Sequence, residues 1–511
     1  MKKNAGALGL LLLLLLIFGC GGHSSDSMKN TLRVALIDNP TNLDPRTYSD
    51  VVSYKVIEQV YDFLVRMDST GLPRPDLAES WEMPSDTVFI FHLRKNVFFH
   101  DGVPLTAKDV AFTFRSMQNP ELRAPLRKSL EVIRDISVPD SFTVRFSLRY
   151  PHAAFLANLE VGIVPEHAVR AGIDLQRHPL GSGPFQFVRW DVDQRVVLKK
   201  NDHYWKGAPR VAFIQMEILP EATTRVLALE NGEIDFLMNN FPQSYLPRLE
   251  KNPALKILKK SGSNYVYLGM NLRNKYLKNK KVRHALAHAI NIPEIIRTLM
   301  GGIPRPAKSL LNPRHWAYNP HLKSYEFNPD SARRLLDEAG FPDPDGDGPR
   351  YRFKLSYKCT DKLQSRQKAQ VIQQYLKEVG IGVNIQSFEW GTFFDDIQNG
   401  RFDLYSLTWV GIYEPDIYDR IFNSRSIGKG ANRGGYVNPK VDRLLEAAQK
   451  TFDIAKRRQY YWRIQEILQD NLPYISLWYE TNVAVMNRRV SGFLMYPAGE
   501  WRSFRRVRLL P

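Results

Sequence analysis

The sequence predicts an α/β protein of more than one domain, built on a mixed or parallel sheet covered by helices. Two observations carry this. The later half alternates periodicities: a helix over 331–340, a strand over 351–358, a helix over 367–380 and a strand over 382–388, the cadence of βαβ units. The chain also has 511 residues, 43% of them hydrophobic. That is more than one core normally holds, so two or three domains are expected.

The elements follow in order. Lys2 and Lys3 precede an uncharged run over 5–19, and Cys20 follows it. The run falls short of the roughly 20 residues that span a bilayer and has the charged and apolar regions of a secretory signal. Gly19 leaves room for cleavage before Cys20, whose thiol is the natural atom to carry lipid. Residues 1–19 are thus expected to be a lipoprotein signal peptide, and 20–31 a lipid-anchored tether. Residues 31–36 alternate as a strand. Residues 53–67 place Val56, Val60, Phe63 and Leu64 on one helical stripe. Residues 87–100 read as paired strands, His100-Asp101-Gly102 as a turn, and Thr106 as the cap of a helix over 107–117. Strands continue through 131–148. Beyond Gly181-Ser182-Gly183-Pro184 come strands over 185–191 and 195–200, a helix, turn and strand over 222–237, and a helix over 280–290. Two long amphipathic helices, 438–452 and 455–470, precede last strands around 483–490 and 504–509.

The net charge of +18 falls to +16 once Lys2 and Lys3 are lost, and the excess is uneven. Residues 248–283 hold 11 Lys or Arg against Glu250 alone. Such a stretch suits anionic lipid or nucleic acid; export excludes nucleic acid, which leaves orientation beside anionic headgroups or plain solvated surface. Cys359 is the one cysteine besides Cys20, too few for an internal disulfide or a zinc motif.

Signals for chemistry are sparse. The 11 histidines are scattered, and His284 and His288, four apart on a helix, lack carboxylate or cysteine company at metal spacing. Asp343, Asp345 and Asp347 resemble half a calcium loop, but Lys354 stands where the bidentate Glu belongs; an Asx-rich turn explains them as well. There is no phosphate-cradling glycine motif and no nucleophile elbow. Neither an enzyme activity nor a cofactor or resident metal is expected. Aromatic residues do accumulate: Tyr405, Trp409, Tyr413 and Tyr418 lie within 403–422, beside an extended Glu414-Pro415 corner. Rings with a few carboxylates suit a ligand bearing apolar groups and a positive group; ordinary core is the alternative for Tyr405 and Trp409.

Taken together, TNLDP at 41–45, the block at 72–114, GSGPFQFVRW at 181–190, NDHYWKGAP at 201–209, LALENGEIDF at 227–236, KVRHALAHAIN at 281–291, YVNPKVDRLLEAAQ at 436–449 and LPYISLW at 472–478 resemble the peptide/nickel-binding family of extracytoplasmic solute receptors, family 5, of ABC importers. The resemblance implies a large two-lobed periplasmic-binding-protein fold with an extra subdomain in the first lobe. By analogy the first-lobe core takes 32–48, 184–264 and 483–511, the subdomain 49–183 and the second lobe 265–482. Hinges are expected near Ser182–Gly183, Gly262–Tyr265 and Val483–Val485. The resemblance further implies a monomer that encloses an oligopeptide or dipeptide and delivers it to permease subunits; a nickel chelate, an opine, an oligosaccharide, or a sensor or chaperone role are the alternatives. Peptide receptors of this kind hold the ligand's ammonium with an aspartate in a TWxGD-like stretch. Here the stretch is TWVGIYEP, 408–415, with Ile412 at that position and one residue fewer. Trp409, Tyr413, Glu414 and Asp416 are the expected second-lobe contacts, with Asn39 and Asn42 facing them.

Lipidation is directly testable. Cys20→Ser should abolish lipid labelling and leave the protein uncleaved or soluble. An intact mass showing an unmodified N-terminus on the wild-type protein would refute it.

Overall fold

The computed structural model describes residues 30–346, 348–428 and 430–511. The expected signal peptide, Cys20, most of the tether and Asp347 lie outside the described residues.

The strand Thr31–Leu36 forms as its alternation predicts. Leu32, Val34 and Leu36 enter one core while Ala35 enters another on the opposite face, so the strand is covered on both sides. It runs parallel to Phe213–Ile218 on one edge and to Phe236–Met238 on the other. Arg195–Lys200 and Phe185–Asp191 extend the sheet antiparallel.

Two long antiparallel strands, Leu255–Met270 and Tyr474–Asn487, carry this sheet out of the first lobe and into the second. Leu255 to Ser261 pair with Asn487 to Thr481, beside Phe236–Met238. Tyr265 to Gly269 pair with Tyr479 to Tyr474, beside Leu404–Trp409, Phe353–Thr360 and Ile381–Phe388. Between the two stretches three residues, Gly262, Ser263 and Asn264, oppose Glu480 alone. Backbone groups freed by this break find other partners: Ser263 N–H donates to the Pro497 carbonyl at 2.9 Å. Asn264 Nδ2 donates to Glu480 at 2.9 Å and its Oδ1 accepts the Gly411 N–H at 3.1 Å. Of the three expected hinges, this is the one that coincides with a break in pairing. Val483 to Val485 are regularly paired with Lys259 to Ile257, and Ser182 is tied to Asp62.

In the second lobe the period of two again divides the core. Val266, Leu268 and Met270 face the helices Lys280–Ala289 and Leu363–Lys377. Tyr265 and Tyr267 face Pro439–Lys450 and Ile454–Asn471. The subdomain is a separate antiparallel sheet in the order Ala78–Ser85, Val88–Leu93, Thr143–Leu148, Ile133–Asp140. The helix Ala107–Gln118 lies on it, and Asp109 fixes its start by accepting the Thr106 backbone N–H at 2.9 Å and hydroxyl at 3.0 Å.

Three expectations need correction. The helix expected over 53–67 is Val51–Val60; Phe63 belongs to the first-lobe core and Leu64 to the subdomain core. The chain leaves the helix because buried Asp62 pins it, accepting Ser182 Oγ at 3.0 Å, Tyr204 OH at 2.7 Å and Trp205 Nε1 at 2.9 Å. Residues 87–100 are not paired with one another: Val88–Leu93 pairs with Ala78–Ser85 and Thr143–Leu148. The last long strand starts at Tyr474, not near 483, because it is the crossing strand. Arg502–Arg506 is a 3-10 turn, leaving the short strands Val490–Ser491 and Arg508–Leu509.

The C-terminal segment completes the first lobe. Asp235, 1% exposed, accepts both Arg33 and Arg489. Trp501 N–H donates to Glu58 at 2.6 Å, and the rings of Phe236, Phe493, Trp501 and Phe504 pack together.

Gly181 and Gly183 pass directly against the end of Val51–Val60. A Cβ on Gly181 would stand 2.1 Å from the Val60 carbonyl oxygen. Gly181→Ala should therefore destabilise the protein by about 3 kcal/mol through forced backbone movement, read as a lowered midpoint in urea denaturation.

Candidate functional site

The strand Leu404–Trp409 sets Trp409 opposite Tyr265, just beyond the break in the crossing ladder. Gly411 then adopts φ +64°, a left-handed turn that glycine makes without steric cost, and Ile412 drops into the second-lobe core at 5% exposure. The next residues run along the junction between lobes. Tyr413 OH donates to Glu500 of the first lobe and accepts the Ala498 N–H at 3.3 Å, and its ring packs on the subdomain core. Its carbonyl lies 3.0 Å from His315 Nε2. Further ties cross here: Trp316 N–H to the Thr70 carbonyl at 3.0 Å and Ala153 N–H to the Gln449 carbonyl at 2.8 Å.

Trp409 is half-buried, with its ring parallel to Tyr267 at 6.2 Å. Arg433 lies 5.3 Å and Arg420 5.8 Å from its centroid. Its Nε1 is buried with no hydrogen-bond partner among the described residues. Glu414 is spent on Arg457, whose side chain is 3% exposed; burial pushes the Glu414 carboxyl up and the Arg457 charge pulls it back. Asp416 stands before the helix Ile417–Phe422, and its buried Oδ1 accepts no hydrogen bond among the described residues. The structure therefore brings Trp409, Tyr413, Glu414 and Asp416 along one junction. Asn39 and Asn42 are engaged within the first lobe. Asn39 accepts the Asp193 N–H at 2.9 Å and donates to the Asp193 carboxylate at 2.6 Å. Asn42 donates to Thr47 Oγ1 and accepts the Asp44 N–H, an Asx turn.

Behind the junction a charged cluster separates first-lobe core from subdomain. A cavity of about 150 Å³ is lined by Glu58, Asp62, Arg66, Asp76, Lys206 and Arg502, among others. Burial pushes Glu58 and Glu160 up to about 7. A larger cavity of about 410 Å³ lies inside the second lobe, between Ser309, Tyr325, Gln465 and Tyr474; none of the expected contacts lines it.

The remaining candidates have structural partners. His100 Nε2 meets the Gly183 carbonyl at 3.0 Å, and burial lowers His100 to about 4. His284 and His288 meet the carbonyls of Asp470 and Glu326, each at 2.8 Å. Asp343 accepts the N–H groups of Asp345 and Gly346, and Asp345 that of Arg350. Among the described residues no group of three metal-ligating side chains is assembled, and no helix is long and apolar enough to cross a membrane. Sequence reasoning missed His315, Arg420, Arg433 and Glu500. Each is remote from the aromatic cluster or carries no local pattern; chain crossing alone brings Glu500 to Tyr413.

The profile described as bacterial extracellular solute-binding proteins, family 5 Middle, matches residues 73–428. The chain is 30% identical to the oligopeptide-binding protein AppA of Bacillus subtilis, covering 97% of each. It is 28% identical to heme-binding protein A of Haemophilus influenzae, covering 93% of this chain and 92% of that one. It superposes on the periplasmic binding protein DppA of Helicobacter pylori in complex with peptide STSA with a TM-score of 0.76, at 29% identity and over 95% of this chain and all of the other.

His315 holds the Tyr413 carbonyl within the second lobe, beside the junction, as a neutral side chain. Burial lowers it from 6.5 to about 4, so unfolding takes up a proton between those values. Its contribution is full above about pH 6.5 and is lost as pH falls toward 4. Glu58 and Glu160, raised to about 7, act oppositely and gain stability as pH falls. The difference between wild type and His315→Gln isolates the histidine. From pH 7 to pH 4 the variant should lose less stability than wild type, by up to about 3 kcal/mol; parallel urea-denaturation curves would contradict this.

Proposed function

Because this chain belongs to the bacterial extracellular solute-binding proteins of family 5, a family of binding proteins rather than enzymes, we propose that it captures a short peptide between its lobes and hands it to an ABC importer permease. The observation that carries this reading is the joint. Two lobes share one sheet through two strands, and the ladder between those strands is broken at Gly262–Asn264. Such a joint permits near-rigid rotation, and a ligand touching both lobes favours the closed population. Relatives named for oligopeptide and dipeptide binding support peptide as the cargo.

In this reading the first-lobe core is 32–48, 184–264 and 483–511, the subdomain 49–183, whose opening helix Val51–Val60 and Phe63 pack into that core, and the second lobe 265–482. Trp409 supplies ring contact and Tyr413 closes the lobes onto Glu500. Asp416, the carboxylate of this segment without a hydrogen-bond donor on its buried Oδ1, receives the peptide's ammonium in place of the family's aspartate. Asn39 and Asn42 border the first-lobe side, the first amide held by Asp193 and the second by its own turn. The receptor works as a monomer, outside the cytoplasm, tethered by lipid on Cys20. A second reading, a non-peptide solute, is favoured by the burial of Ile412 where an ammonium partner would stand and by a relative named for heme binding.

Calorimetry with a mixture of di- to tetrapeptides tests cargo and site together. Trp409→Ala should cost about 2 kcal/mol or more and Asp416→Asn about 2–5 kcal/mol, and small-angle scattering should show a smaller radius of gyration at saturation. Tight binding without compaction would sink closure; absence of binding to any peptide in the mixture would favour the second reading.

A further inference from the structure

Buried guanidinium groups among the described residues meet either carboxylates or several backbone carbonyls. Arg46 pairs with Asp44, Arg66 with Asp76 and Glu160, Arg457 with Glu414 and Arg502 with Glu500. Arg225 and Arg283 are instead supplied by backbone carbonyls. Arg433 is the exception. It is 8% exposed, yet its hydrogen bonds run to neutral acceptors, Gln398 Oε1 at 2.9 Å and Tyr267 OH at 3.3 Å. The acids on neighbouring elements are taken: Asp395 and Asp396 by Arg401 and Lys358, Asp419 by Arg425, Glu414 by Arg457. Arg420, more exposed, likewise forms no ion pair with a described carboxylate, and partial desolvation with the nearby charge of Arg433 holds it below its ordinary value.

These two cations flank one ring, Trp409, whose buried Nε1 has a proton to donate and nothing described to receive it. The position is open to solvent: Val410 beside it is 60% exposed, and Trp390, stacked on the Phe394 ring under Arg433, is 55% exposed. Arg433 is met by an amide and phenol oxygens but by no counter-charge, and planar guanidinium groups favour carboxylates, which they bind in bidentate fashion.

We propose that Arg420, Arg433 and Trp409 form an anion-accepting subsite, at which the captured ligand presents a carboxylate. This rests on the reading of the interlobe junction as the ligand site. It assigns opposite ends of the segment opposite charges: Asp416 for a cationic group, the Trp409 end for an anionic one.

The test uses the full mature chain and two probe pairs, benzoate against benzamide and trialanine against its C-terminal amide, read by tryptophan fluorescence and calorimetry. Benzoate should bind at least ten-fold tighter than benzamide, and trialanine at least ten-fold tighter than its amide. Both preferences should vanish in Arg433→Gln and in Arg420→Gln, and persist in Arg401→Gln. Arg420 is exposed, so its variant keeps the test valid if the Arg433 variant fails to fold. If neither tripeptide binds while the benzoate preference stands and depends on Arg420, the subsite holds and the peptide reading falls. Equal binding of benzoate and benzamide, no binding of either, a preference that survives both substitutions, or trialanine and its amide both binding with equal affinity would overturn the proposal.

Discussion

The pairing of Leu255–Met270 with Tyr474–Asn487 governs the rest of the molecule. One two-stranded ladder supplies central strands to both lobes, so the side-chain alternation along it must satisfy four cores at once. A ladder regular throughout would fuse the lobes into one stiff slab. Three residues against one at Gly262–Asn264 interrupt the pairing between the lobes, a smaller register shift follows at Val266–Tyr267, and the Pro497 carbonyl takes up the Ser263 N–H. Flexibility is thus concentrated in a few dihedral angles between two paired stretches of the ladder.

The same level is where charges meet. Tyr413 from the second lobe reaches Glu500 in the first, and Glu500 belongs to a crowded set with Glu58, Glu160, Arg66 and Arg502. Most of these charges neutralise one another inside the protein. Those left over, Asp416 on one side and Arg420 with Arg433 on the other, lie on the short stretch that the aromatic residues mark out.

How much of this was legible in the sequence depended on whether the signal was local. The strand Thr31–Leu36 and the helix Ala107–Gln118 were readable because alternation and a Thr-to-Asp start are encoded within a few residues. Phe63 and Leu64 misled because their spacing continues a helical stripe, whereas the chain has already turned between two cores under the hold of Asp62. Tyr474 was missed as a strand start because the crossing depends on a partner some two hundred residues earlier. Aromatic clustering led to Trp409; nothing local marks Arg433 as the cation above it. Asn39 and Asn42 were expected to face the second-lobe contacts, but a sequence does not show that one amide is already engaged by distant Asp193 and the other by its own turn.

The return of the chain end to the first lobe bears on how the protein comes to be made. Asp235 waits for Arg489, and Glu58 receives the Trp501 N–H across 443 positions of sequence. Contacts of such separation form slowly, since a long loop must close before they are rewarded. The first-lobe core cannot finish until nearly the whole polypeptide has been synthesised, so a growing chain stays incompletely folded throughout elongation. The winding that builds the joint thus also postpones completion of the first lobe until the chain end is available.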